Sequence, residues 1–220
     1  MSDERARRFF DAIAPRYDRV YAPPRDASRA RMGRVLELLP PAARILDLGV
    51  GTGRELSALL DAGHSPIGLD FSAEMLALCN RRARPIPTVL ASFWEPLPFD
   101  ADAFDAVLAL HGSLAHPPDD DALLRLGAEL ARVLAPGGVF VTETPSRAWL
   151  DTLGDDTDPD RRARRLGAAR FVYEDAVSGT SIEARILDDA DWSAALGPAL
   201  SVEVLPAGPF ERLVVGRRMR

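Results

Sequence analysis

Ile45-Leu46-Asp47-Leu48-Gly49-Val50-Gly51-Thr52-Gly53-Arg54-Glu55, or ILDLGVGTGRE, decides the fold. An apolar run ends in an acidic residue, three glycines follow at alternate positions, and a helical pattern begins. The run reads as a buried strand. The glycines permit positive φ and remove side chains that would hold a ligand away from the backbone. A helix start adds unpaired N–H groups. The spacing separates two ligand classes. Dinucleotide folds use G-x-G-x-x-G so that a pyrophosphate can sit on the helix N-terminus. Here the spacing is G-x-G-x-G, and Arg54 stands where the third glycine of that fingerprint is expected.

Outward from this turn, strand and helix patterns alternate. Residues 54–61 have helical spacing and 66–70 form a second strand. Ser72 is a candidate N-cap for a helix running to about Ala83. Residues 87–91 and 103–110 read as third and fourth strands. Residues 119–135 carry amphipathic helical spacing (Leu123, Leu126, Leu130, Val133, Leu134), stopped by Pro136-Gly137-Gly138, and 139–144 are a fifth strand. Such alternation predicts a mostly parallel sheet with right-handed crossovers. Residues 146–170 are polar and read as an exposed connection. Residues 170–174 and 181–187 read as a hairpin, 188–196 as a short helix, and 199–205 and 212–215 as an antiparallel edge pair.

Asp70 closes the second strand in PIGLDFS, at the carboxyl edge where open parallel sheets bind ligands. A carboxylate there can accept hydrogen bonds from both hydroxyls of a ribose.

Composition narrows the chemistry. The 220 residues fit one domain of ordinary size. No apolar stretch is long enough for a membrane span, and the charged opening MSDERARRFFDAIAP does not read as a signal peptide, so a cytoplasmic setting is expected. A net charge of -6 argues against a general nucleic-acid binder. The basic clusters at 5–8 and 161–165 read as solvated helix faces. Cys79 is the single cysteine, which excludes intrachain disulfides and cysteine metal sites. All 27 basic residues are arginine, so a Walker phosphate loop and lysine chemistry are excluded. Asn80 is the only asparagine and glutamine is absent, which disfavours a magnesium site built from acid and amide oxygens. No metal is expected.

With these pieces in order, the chain resembles the class I (Rossmann-like) S-adenosylmethionine-dependent methyltransferases, small-molecule type, similar to the quinone-biosynthesis group. FFDAIAPRYDRVY is similar to that group's opening F-D-x-I-A-x-x-Y-D, and ILDLGVGTG, GLDFSAEML, LPF, FDAV and LAPGGVF follow in the family's order. The ordered set, over about residues 8–141, is far more specific than any piece. The resemblance implies an α/β fold with a seven-stranded, mostly parallel sheet, helices on both faces and an antiparallel last strand. It further implies one domain over 1–220, with a helical cap over 1–40 and an acceptor-side insertion over 146–187.

The same resemblance implies S-adenosyl-L-methionine as cofactor. Gly49, Gly51 and Gly53 would lie against its methionine part, with Asp47 near the amino group. Asp70 would hold the ribose, Phe71 and Met75 would pack on the adenine, and Leu110 would complete the wall. Where the family commonly has Asp and a small residue, this chain has Ser92-Phe93, leaving the adenine edge to a hydroxyl and a backbone group. Tyr17, in the segment that folds over the cofactor in that group, would cover the sulfonium or orient the acceptor.

Methyl transfer from a sulfonium is an in-line displacement, so alignment and exclusion of water come first and a base serves only a protonated acceptor. LALHGSLAHPP, at the end of the fourth strand, supplies His111 and His116 as candidate bases facing a small-molecule acceptor. His64, in the turn on the opposite edge, reads as structural. Trp149, Phe171 and Tyr173 are candidates to line the acceptor pocket. Two other readings remain open: a protein that binds S-adenosylmethionine or S-adenosylhomocysteine without turnover, and a nicotinamide-dependent oxidoreductase, which the glycine spacing disfavours.

Overall fold

The structure is a computed structural model, and it describes residues 3–21, 25–153, 159–208 and 210–219. The cap side opens with α1 (Asp3–Ile13), a 3-10 turn (Ala14–Arg16), α2 (Tyr17–Val20) and α3 (Arg25–Leu38). Then come β1 (Arg44–Leu48), α4 (Leu56–Asp61), β2 (Ser65–Asp70), α5 (Ala73–Cys79), β3 (Thr88–Leu90), β4 (Phe104–Ala109), α6 (Ala122–Val133) and β5 (Leu134–Pro145). A 3-10 turn (Arg147–Thr152) precedes β6 (Arg161–Arg165), β7 (Arg170–Asp175) and β8 (Ser181–Arg185). The chain ends in α7 (Asp189–Leu196), β9 (Ser201–Pro206) and β10 (Glu211–Arg217).

Seven strands form the main sheet in the order β3-β2-β1-β4-β5-β10-β9. β3, β2, β1, β4 and β5 pair in parallel, and β10 runs antiparallel to both β5 and β9. This is the Rossmann-like arrangement that the glycine turn and alternating patterns predict. The strand period of two divides the core between two faces. Leu46, Leu48, Val107, Ala109, Phe140 and Val214 pack against α6 and α7 on one side. Ile45, Ala106, Leu108, Val139, Val141, Leu213 and Val215 pack against α3, α4 and α5 on the other. Because both faces are covered, the central strands read as continuous apolar runs. Ser72 is the N-cap of α5, accepting from Met75 N at 3.1 Å.

Three expectations are corrected. Residues 146–170 are not simply a connection: Arg147–Thr152 forms a 3-10 turn and Arg161–Arg165 is β6, which pairs antiparallel with β7 in a three-stranded sheet, β6-β7-β8. The basic run 161–165 is therefore an edge strand, not a helix face. Its charges are met by acids, as Arg164 with Glu174 and Arg165 with Asp151, so it needs no apolar alternation to stay paired. The acidic part of the connection, 154–158, lies outside the described residues. Pro136-Gly137-Gly138 does not separate helix from strand either, because α6 ends at Val133 and β5 starts directly at Leu134 with a register shift against β4.

The cap is tied to both halves by charges of opposite sign. Asp11 accepts from Ser72 Oγ at 2.5 Å and Asp18 accepts from Thr52 Oγ1 at 2.6 Å and from Arg82 at 2.5 Å, gripping the main sheet side. Arg5 donates to Ser181 Oγ at 3.0 Å, Arg16 pairs with Asp175 and Arg19 with Asp160, gripping the three-stranded sheet. Phe9, Ile13, Met75 and Ile182 join cap, α5 and β8 in one apolar cluster. The cap thus straps the carboxyl edge of the main sheet.

Candidate functional site

The glycine turn is held by its own backbone. Gly49 N and Val50 N both donate to Leu69 O (2.8 and 3.1 Å), Gly53 N donates to Val50 O (3.0 Å), and Gly51 N donates to the Asp70 carboxylate at 2.8 Å. Four of the N–H groups that would cradle a pyrophosphate are already spent. Two glycines have specific reasons to be glycine. Gly51 sits at φ 55, a left-handed conformation that costs other residues roughly 1–2 kcal/mol. Gly53, at φ 72, faces α5 so closely that a Cβ would lie 2.7 Å from Cys79 Sγ and from Leu56 Cδ1.

Asp47, at the end of β1, is buried, and no described donor reaches its carboxylate. Burial, followed by the nearby charges of Glu55 and Asp70, pushes its pKa up to about 8. It shares a small hollow with Tyr17, Gly49, Gly51, Arg54, Leu110 and His111. Arg54 stacks on the Tyr17 ring at 4.8 Å and donates to Tyr21 O at 3.3 Å, but it forms no ion pair among the described residues. One uncompensated carboxylate and one uncompensated guanidinium thus face the same hollow. That pattern complements a zwitterion.

Asp70 begins the neighbouring hollow. Its two oxygens accept from Gly51 N and Ser72 N (2.8 and 2.9 Å), which leaves lone pairs for further donors. Burial raises its pKa to about 6 even though the backbone hydrogen bonds act in the opposite direction. Phe71, Met75 and Phe93 supply apolar walls here, with Tyr17, Gly49, Gly51, His111 and His116 around them. Ser92 lies outside; its hydroxyl accepts from Trp94 N at 3.2 Å. Gly53 also lines neither hollow.

His111 sits at φ 57, a conformation rare for any residue but glycine and the kind of strain found at functional sites. Its Nε2 lies 2.8 Å from Glu55 Oε1 and 3.2 Å from Arg31 Nη2. A guanidinium only donates and a carboxylate only accepts. The shorter contact therefore puts the proton on Nε2, directed at Glu55, and leaves Nδ1 as the lone-pair nitrogen. Burial lowers the imidazole pKa against the raising effect of Glu55, so the ring is neutral near pH 7. Burial alone would raise Glu55, but the hydrogen bond from His111, the Arg31 charge and the hydrogen bond from Ser28 outweigh it and hold the carboxyl at about 2. Arg31 pairs with Glu55 at 2.8 Å and with Glu143 at 3.3 Å. These partners come from α3, the turn before α4 and the end of β5, and no local motif announces them. The left-handed His111-Gly112 step was the only hint available, since a histidine before glycine at a strand end favours such a bend.

His116 donates from Nδ1 to Glu183 O at 2.7 Å, and burial drops its pKa to about 4. It does not border the Asp47 hollow. His64 accepts from Ala43 N at 3.1 Å, on the other edge of the sheet. Beyond the two hollows opens a chamber of about 260 Å³, which His111, His116, Tyr17, Trp149, Phe171 and Tyr173 help to wall. Among the described residues no group of three or more metal-ligating side chains occurs, and no helix is long and apolar enough to cross a membrane.

The comparisons agree with this geometry. Residues 45–138 match a family described as a methyltransferase domain. A demethylmenaquinone methyltransferase of Renibacterium salmoninarum is 36% identical over 136 residues, covering 60% of this chain and 55% of that protein. The chain spans about half the length of the first curated relatives it matches. The CcbJ methyltransferase from Streptomyces caelestis superposes with a TM-score of 0.78 at 22% identity, over 96% of this chain and 98% of that one. The DhpI–SAH complex gives a TM-score of 0.73 at 22% identity, over 98% and 96%. Strand order and superposition give the chain the Rossmann-like fold of these methyltransferases, and its segment 45–138 matches the methyltransferase-domain family.

Proposed function

We propose that this protein transfers a methyl group from S-adenosylmethionine to a small-molecule acceptor, with residues 1–220 acting as one domain. The observation that carries the reading is the pairing of Asp47 and Arg54 in one hollow, each without an ionic partner. Asp47 takes the ammonium and Arg54 the carboxylate of the donor's amino-acid end. Asp70 takes the ribose hydroxyls, and Phe71, Met75 and Phe93 flank the base. When bound, the donor supplies an electrophilic methyl on a sulfonium. Around it the chain aligns the acceptor and keeps water out. The cap (1–40) closes over the donor and the insertion (146–187) walls the acceptor chamber. A single cysteine suits a reducing setting, and the cytoplasm is the proposed location.

For an acceptor that arrives protonated, His111 is the base and Glu55 the residue that positions it. Nδ1 takes the proton, and the imidazolium that forms is stabilised by an ionised Glu55 2.8 Å from Nε2. His116, held by a backbone carbonyl and lacking a carboxylate, does not share this role. His111→Ala lowers kcat by about 100-fold or more with donor affinity within about twofold of wild type, while His116→Ala stays within about tenfold in kcat. Steady-state rates beside donor titrations check this once an acceptor is in hand. Equal losses in the two variants, or none in either, contradict the assignment.

A further inference from the structure

We infer that Arg31 is a positioning residue of this site: it sets a fixed positive charge between two buried carboxylates, so that His111 rests as a neutral base with Nδ1 open to a proton. This rests on the methyltransfer reading above, with His111 as its base. Four side chains meet here from four separate stretches: Arg31 from α3, Glu55 at the start of α4, His111 after β4 and Glu143 from β5. The side chains of Arg31 and Glu143 are 11% exposed and that of Glu55 10%. The guanidinium stands on a firm base, because Met32 and Val35 of the same helix are buried in the core beneath the main sheet.

Two carboxylates reach His111. Glu55 Oε1 lies 2.8 Å from its Nε2, and Glu143 Oε2 accepts from its backbone N at 3.4 Å. Left to themselves, two buried acids would draw a second proton onto the ring. Arg31 removes that pull. Its Nη2 lies 2.8 Å from Glu55 Oε1 and its Nε 3.3 Å from Glu143 Oε2, so both acids have a cation without the ring becoming one. The same Nη2 lies 3.2 Å from His111 Nε2. Both nitrogens are donors, and they share the Glu55 oxygen as acceptor. So close an approach is tolerable beside a neutral ring and costly beside an imidazolium. Ser28 Oγ, donating to the same Glu55 oxygen at 3.2 Å, keeps it turned to this shared position.

Burial is the largest influence lowering the imidazole pKa; Glu55 opposes it, Arg54 and Arg31 reinforce it, and Glu143 opposes it. In the proposed reading Arg54 meets the donor's carboxylate, which balances its charge. Arg31 then remains the cation that acts on the ring while the donor is bound. Asp47, Asp70, Tyr17 and His116 border the same hollows. Tyr17 and His116 are neutral near pH 7, and in the same reading the two aspartates are taken by the donor's ammonium and ribose.

Histidine NMR titration of the full chain, free and saturated with S-adenosylhomocysteine, tests the inference. The chain has three histidines, so His111→Ala identifies one signal and His64 and His116 serve as internal controls. The wild-type His111 ring should carry its proton on Nε2 at pH 7. Arg31→Met should raise the His111 pKa by about one pH unit or more, and Arg31→Lys, which keeps the charge, should hold back most of that rise. Glu143→Gln, which keeps Arg31 and removes an acid, should lower it. The two control histidines should titrate as in wild type, which a general loosening of the fold would not allow. A His111 pKa in Arg31→Met equal to or below the wild-type value overturns the inference, as does a wild-type ring protonated on Nδ1 alone. If Arg31→Met does not fold, Glu143→Gln decides, and an unchanged His111 pKa there overturns it. S-adenosylhomocysteine binding is measured first; its failure defeats the methyltransfer reading itself, whereas binding with a His111 pKa indifferent to these variants defeats only this inference.

Discussion

Asp47 is a carboxylate kept out of water with nothing to balance it, and stability and binding make opposite demands on it. Its folded pKa, about 8, lies above the ordinary aspartate value. The proton is therefore held more tightly in the folded state, and Asp47 contributes stability at low pH that is lost as pH rises through about 8. Asp70, raised to about 6, acts in the same direction. The ligand-free protein should lose thermal stability from about pH 4 to pH 8, and Asp47→Asn should flatten that loss. At pH 8 the variant should be more stable by on the order of 1–2 kcal/mol, yet bind S-adenosylhomocysteine at least about tenfold more weakly. Below pH 8 the wild-type carboxyl must release its proton to meet an ammonium, so affinity should rise by up to about tenfold per pH unit. Titrations in buffers of different ionisation enthalpy read that proton directly. Pairing of this kind was only partly legible: ILDLGVGTG marks Asp47 and the glycines, whereas Glu55 and His111, 56 residues apart and 2.8 Å distant, meet only through the sheet.

At the scale of elements, period and punctuation carried most of the fold. β1, β2, β4 and β5 are apolar because both faces are covered, and α6 shows its buried stripe at Leu123, Leu126 and Leu130. β6 escaped because Arg-Arg-Ala-Arg-Arg has no apolar face; its pairing with β7 and its cross-strand acids stabilise it. The packing of α5 on the glycine turn gives a sharp test. Gly53→Ala places a Cβ 2.7 Å from Cys79 Sγ at a φ of 72, so the variant should lose about 2 kcal/mol or more in chemical denaturation, although Gly53 lines neither hollow. A loss below about 0.5 kcal/mol would mean that the turn and α5 are not packed as described.

At the scale of the whole molecule, the cap bridges two sheets, with acids toward the main sheet and arginines toward the three-stranded sheet. The two hollows beneath it, at Asp47 and at Asp70, are small, about 30 and 60 Å³, with Asp18 latched to Thr52 and Arg82. On the proposed reading, admission of a donor requires the cap to lift, and Asp18→Ala should speed association of S-adenosylhomocysteine by several-fold in stopped-flow mixing, with dissociation faster as well. An unchanged association rate would place the latch elsewhere. None of this bridging is readable from patterns, because the partners lie far apart in the chain, 34 residues for Asp18 and Thr52 and 159 for Arg16 and Asp175. The central claim, that the glycine turn and its two unbalanced charges receive a methyl donor, is tested most directly by calorimetric titration of the full chain with S-adenosylmethionine, S-adenosylhomocysteine and NAD. The account predicts one site for each of the first two and none for NAD; binding of NAD, or of neither sulfur ligand, would contradict it.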